Sequence, residues 1–100
     1  MAKGYWIAQV DVHDAENYAG YMAANAAAFA RFGARFLVRG GRAERVEGSF
    51  RSRLVVLEFT DYATALACYH SAEYAAALAI RTRFSTGDVV IVEGYDPPPV

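Results

Sequence analysis

The spacing of apolar and polar positions changes several times along this chain, and each change marks an element. GYWIAQVDV (4–12) alternates and is rich in aromatic and β-branched residues, which predicts a strand. Alternation sends Trp6, Ala8, Val10 and Val12 to one face and Tyr5, Ile7, Gln9 and Asp11 to the other. The period then becomes helical, with Tyr18, Met22, Asn25, Phe29 and Phe32 recurring along one stripe. Asp14 stands where an N-cap carboxylate accepts from free first-turn amides, and Gly33 where a helix ends. Alanine fills most positions between, favouring helix and close packing.

RFLVRG (35–40) predicts a second strand, and Gly40-Gly41 a turn or bulge. RAERVEG (42–48) reads as a short polar edge strand, SFRSR as a loop and RLVVLEF (53–59) as a third main strand. Asp61 caps a helix to about Tyr69, and Ser71 caps a further helical stretch carrying Tyr74, Leu78 and Arg81. Gly87 reopens the chain, and DVVIVEG (88–94) predicts the last strand. The order β-α-β-β-α-β is the ferredoxin-like split arrangement, an α+β fold. Right-handed connections place both helical segments on one face of its antiparallel sheet. The expected unit is a single domain over 1–100, with its core in about 4–94 and a proline-rich tail from 95.

The other sheet face is left bare. Alternation assigns Trp6, Ala8 and Val10, Phe36 and Val38, Val55, Leu57 and Phe59, and Val90 and Val92 to the covered side. The bare side receives Tyr5, Ile7, Gln9 and Asp11, then Arg35, Leu37 and Arg39, then Leu54, Val56 and Glu58, and last Val89, Ile91 and Glu93. That mixture is too apolar to be left in water and too charged for a second core. A homodimer through the uncovered sheet face answers both conditions, with a small-molecule cavity between the sheets as the sharper alternative.

Composition narrows the partners. The 100 residues are 55% hydrophobic and 21% charged, which makes a packed globule with one core. A net charge of −1 without a basic run excludes the electrostatic footprint of a nucleic-acid binder. No apolar run approaches the roughly 20 residues of a membrane span, and the N-terminal segment alternates instead of resembling a signal sequence. The single cysteine, Cys68, excludes an internal disulfide. A cytoplasmic protein with no membrane or nucleic-acid partner is expected.

Several stretches, taken in order, resemble a known family: GYWIAQVDV, FLVRGG followed by RVEG, RLVVLEF, and YHSAEYAAALAIR followed by VVIVEG. The chain resembles the uncharacterised bacterial domain-of-unknown-function family 1330, within the dimeric α/β-barrel superfamily of ferredoxin-like proteins. The resemblance implies a dimer with a barrel-like sheet interface and no established activity. Superfamily relatives include cofactor-independent oxygenases of aromatic polyketides, muconolactone isomerases, haem-degrading monooxygenases and stress-response proteins.

Chemistry-bearing residues are few. Arg39 and Glu58 lie on neighbouring strands, and alternation puts both on the bare face, where they serve as an ion pair across the dimer or as an acid or base of shifted pKa. His70, beside Ser71, reads either as a general base, a haem ligand or a surface residue at a helix junction. Tyr18, Tyr69 and Tyr74 suit the edge of the core or a pocket wall. Arg81 falls on the same helical face as Tyr74, where it can hold a substrate carboxylate or pair with an acidic side chain. Cys68 and His70 are two apart and share no helical face, so a metal site is not indicated, and His13 adds none. The expectation is a small dimeric enzyme of oxygenase or isomerase type without a tightly held cofactor, acting on a hydrophobic or aromatic metabolite. Arg39, Glu58 and His70 are its candidate catalytic residues, and Tyr18, Tyr74 and Arg81 its candidate ligand contacts. The alternative is a non-catalytic dimeric ligand-binding or assembly module, with haem binding a distant third.

Overall fold

Strand β1 (Gly4–Val12) ends two residues before Asp14, whose extended backbone and carboxylate open helix α1 (Ala15–Phe32) by accepting the Asn17 amide at 3.1 Å. Gly33 closes that helix with φ 67°, and the Ala34 amide returns to the Phe29 carbonyl at 2.9 Å. The computed structural model describes residues 2–99. Strand β2 (Arg35–Arg39) follows, then a long connection to β3 (Arg53–Phe59). Asp61 and Ser71 cap α2 (Tyr62–Tyr69) and α3 (Ala72–Phe84), and β4 (Ser85–Glu93) completes the fold.

The four strands are antiparallel in the order β2-β3-β1-β4, with the helices on one face, the ferredoxin-like arrangement. Trp6 lies at the centre of the layer between sheet and helices. Its ring packs against Phe29, Phe59, Tyr69 and Tyr74, and its indole N–H donates to the Ala65 carbonyl at 2.8 Å. Ala28, Ala65 and Ala77 are fully buried beside it, so small side chains let the helices approach closely.

Pairing corrects the strand faces in three places. First, β2 contains a bulge between Phe36 and Val38, after which Val38 opposes Val56 and Arg39 opposes Val55. An extra residue reverses the parity of whatever follows it, so Val38 joins the bare face and Arg39 turns to the helix side. Arg39 and Glu58 therefore occupy opposite faces of the sheet. Second, β4 starts at Ser85, directly after α3, and pairs Ile7 with Val90 and Tyr5 with Val92. Val90 and Val92 thus face outward while Val89 and Ile91 face the helices, the reverse of the assignment from alternation. Third, residues 42–48 form no strand. The end of that connection is drawn onto the bare face instead. There the Arg51 amide donates to Gln9 at 2.8 Å, and the Arg51 guanidinium pairs with Asp11 at 3.0 Å and Asp88 at 2.9 Å.

The corrected bare face has a regular construction. Val90, Ile7, Val56 and Val38 oppose one another in sequence across all four strands, a continuous β-branched row. Val92, Tyr5, Glu58 and Arg35 form the parallel row beside it.

Candidate functional site

The bulge in β2 and the helical stripe of α1 bring polar groups together under the helices. Tyr18, Tyr21 and Asn25 recur at helical spacing along α1, and all three are buried. Tyr74 and Arg81 reach the same place from α3, seven positions and therefore about two turns apart on one face. Arg39 comes from the end of β2, and Arg53 from the start of β3, on the side opposite Leu54. These groups share a cleft walled by Trp6, Phe29, Phe36 and Leu57. Counting its open mouth, the cleft holds about 470 Å³ of empty space, but it is narrow, with only about 30 Å³ open to the centres of water-sized molecules. That space has room for about two water molecules.

A row of polar side chains runs along the floor, with one hydrogen bond at its centre. The Tyr21 and Tyr74 hydroxyls lie 2.8 Å apart, the Asn25 amide adjoins Tyr21, and the Arg81 guanidinium adjoins Tyr74. Burial raises the pKa of both phenols, and for Tyr74 the Tyr21 hydroxyl and the Arg81 charge oppose the rise without cancelling it. Burial also works against the Arg81 charge, and the Tyr74, Tyr21 and Tyr69 contributions that raise its pKa come mainly from their ionised forms, which exist only at alkaline pH. The phenols therefore remain protonated donors at neutral pH. Among the described residues lining the cleft there is no carboxylate, histidine or cysteine. The arrangement suits holding and polarising an oxygen anion and provides no neutral-range base.

Of the candidates from sequence, Tyr18, Tyr74, Arg81 and Arg39 converge on this cleft. Glu58 lies on the bare face, where the Tyr5 hydroxyl donates to it at 3.5 Å and Arg35 is its cross-strand neighbour. His70 is exposed at the C-cap of α2, edge-on to Tyr69 and outside the cleft. Cys68 is fully buried in packing, its thiol pushed up to about 12 by burial and by Glu73. Among the described residues, no group of three or more His, Cys, Asp or Glu could hold a metal ion, and no helix is long and apolar enough to cross a membrane. Tyr21 and Arg53 are the cleft residues that strand and helix patterning overlooks. Arg53 carries a signal, because it is a charge on the strand parity otherwise filled by Val55, Leu57 and Phe59.

A four-stranded antiparallel sheet, helices on one face and a polar-floored cleft between the layers define a ferredoxin-like protein with its candidate site under the helices. The chain belongs to the family described as domain of unknown function (DUF1330), which matches residues 3–95. No curated protein matches its sequence. Among solved structures it is similar to RPA0582, a protein of unknown function from Rhodopseudomonas palustris. That match has a TM-score of 0.74 and 15% identity, covering 96% of this chain and 85% of the other. It is also similar to SnoaB, a cofactor-independent oxygenase from Streptomyces nogalater, with a TM-score of 0.65 and 17% identity over 100% of both chains. At such identities the likeness is one of fold.

Proposed function

We propose that this protein is a small homodimeric enzyme that works without a bound cofactor, of oxygenase or isomerase type, on a hydrophobic or aromatic metabolite held in the cleft. The observation that carries the reading is the hydrogen-bonded Tyr21–Tyr74 pair with Asn25 and Arg81 beside it, a set of polar groups on the floor of a cleft with aromatic and aliphatic walls. Such donors stabilise the anion of an acidic enol or phenol, whose proton passes to water because the lining holds no neutral-range base, and an oxygenase or isomerase without a cofactor works on that anion. The fold shared with SnoaB supports it by analogy. In this reading Tyr18 and Arg39 contact the ligand, and Tyr74 and Arg81 polarise it. Glu58 belongs to the dimer face, and His70 caps a helix.

The second reading is a non-catalytic ligand-binding dimer. Its specific support is the lack of any neutral-range proton acceptor among the described lining residues. The two are separated by presenting the protein with a panel of phenols and naphthols in air. Oxygen uptake and product formation are then followed without added metal or cofactor. Turnover that falls about a hundredfold in Tyr74→Phe and Arg81→Lys supports the enzyme. Saturable binding without turnover supports the module, and turnover indifferent to both substitutions places the site elsewhere.

A further inference from the structure

Three arginines line this one cleft, and none of them has a carboxylate partner among the described residues. Outside the cleft, Arg31 pairs with Glu73 at 2.6 Å and Arg51 with Asp11 and Asp88, while Arg35, Arg42, Arg45 and Arg83 are exposed to water, so burial without a carboxylate is what sets Arg81, and in part Arg53, apart. Arg81 is only 7% exposed, and its Nε has no hydrogen-bond partner. The Nε of Arg53 is likewise buried and unpartnered. Arg39 lies over the Phe36 ring at 4.2 Å, which holds its guanidinium at the mouth. Tyrosine hydroxyls accept from a guanidinium but do not neutralise it, and an uncompensated charge withdrawn from water is costly. The backbone makes room for these groups. A side chain at Gly40 would collide with the Arg53 guanidinium, and one at Gly87 would lie 3.2 Å from Arg81 Nη1.

Resting on the reading of the cleft as a ligand site, we propose that the ligand is an organic acid with an apolar body. Its carboxylate is gripped by Arg81 and Arg53, with Arg39 closing over the mouth. A carboxylate matches the planar fork of a guanidinium and supplies the missing negative charge. The walls of Trp6, Phe29, Phe36 and Leu57 then take an aromatic or aliphatic body, so inorganic phosphate is a poorer fit. The cleft is narrow enough that, as it stands, it takes the charged end alone. A larger body enters as Met22 and the exposed Arg39 swing outward from the rim.

Trp6 is the only tryptophan and lines the cleft, so its fluorescence reports occupancy directly. The test titrates the protein with benzoate, with its neutral isostere benzamide, and with inorganic phosphate. Benzoate should change the emission saturably and bind at least about tenfold tighter than benzamide, as expected of charge-assisted hydrogen bonds. Arg53→Met and Arg39→Met, both nearer the mouth than the buried Arg81, should weaken benzoate and leave benzamide unchanged. Arg81→Lys keeps the charge while losing the fork, and should also weaken benzoate. Equal binding of benzoate and benzamide overturns the anion proposal and leaves the ligand cleft standing. Phosphate competing as well as benzoate overturns the organic-acid assignment. No response to any of the three overturns the proposal and the cleft reading together.

Discussion

At the scale of single residues, the Tyr21–Tyr74 pair is where stability and chemistry meet. Both hydroxyls are buried and satisfy each other at 2.8 Å. Replacing either by Phe takes away the remaining hydroxyl's partner and leaves it only Asn25 or Arg81 as a polar neighbour, which costs about 1 kcal/mol. The double replacement removes both polar groups, so it should cost less than the sum of the singles, a coupling readable in urea unfolding followed by Trp6 emission. The pair also sets an alkaline limit. Both folded pKa values lie above the ordinary 10.0, so the native state holds its phenolic protons where the unfolded chain releases them. That contribution is complete below about pH 10 and is lost as pH rises further. Unfolding free energy should therefore decline above pH 10, and the decline should be shallower in the Tyr21→Phe, Tyr74→Phe double variant. An identical slope in the two proteins would show that these phenols are not the ones being titrated.

At the scale of elements, β1 and α2 are joined through a glycine. A Cβ on Gly4 would overlap the Asp61 carbonyl and the Tyr62 Cα, both backbone atoms with little freedom to move. Gly4→Ala should accordingly destabilise by about 1–3 kcal/mol, seen as a lower urea midpoint at unchanged m-value. A variant as stable as wild type would mean that α2 is free to slide on the sheet. Much of this scale was legible in the sequence, because caps are local. Asp14, Asp61 and Ser71 each act through amides three residues on, and Gly33 through its own left-handed backbone. The faces of β2 and β4 were not legible. In VVIVE every position but the last is apolar, so alternation has no contrast to read, and pairing with β1 alone fixes the parity. The β2 bulge leaves no mark in RFLVR, yet it moves Arg39 from the bare face into the cleft. It does so by the same shift that brings Val38 into the β-branched row. The site was half legible for the same reason: helical residues Tyr18, Tyr74 and Arg81 follow from spacing, whereas Arg39 reaches it through register.

At the scale of the whole molecule, the two faces of the sheet divide the work. One is covered by helices and carries the cleft, while the other is flat, β-branched and uncovered. Ile7 is 45% exposed and Val90 54%, adjacent in the row that crosses all four strands. Exposed apolar area that is continuous, instead of scattered, is what a partner surface looks like. A second copy is the occupant consistent with the proposed homodimer, because a two-fold axis lets the same row meet itself. The charged residues sit beside that row and not within it. Glu58 and Arg35 occupy the neighbouring row, and Arg51 with Asp11 and Asp88 ties down the connection at the far end. An apolar centre with a polar margin is the usual plan of a stable interface. Ile7→Lys tests the argument because the lysine is tolerated in a lone subunit, where the site is half in water, but is buried at the centre of the pair. Wild type should sediment as a dimer, and Ile7→Lys as a folded monomer, with its dissociation constant raised by at least about a hundredfold. An unchanged dimer in Ile7→Lys would move the interface off this face. A monomeric wild type at the same concentration would remove the dimer altogether.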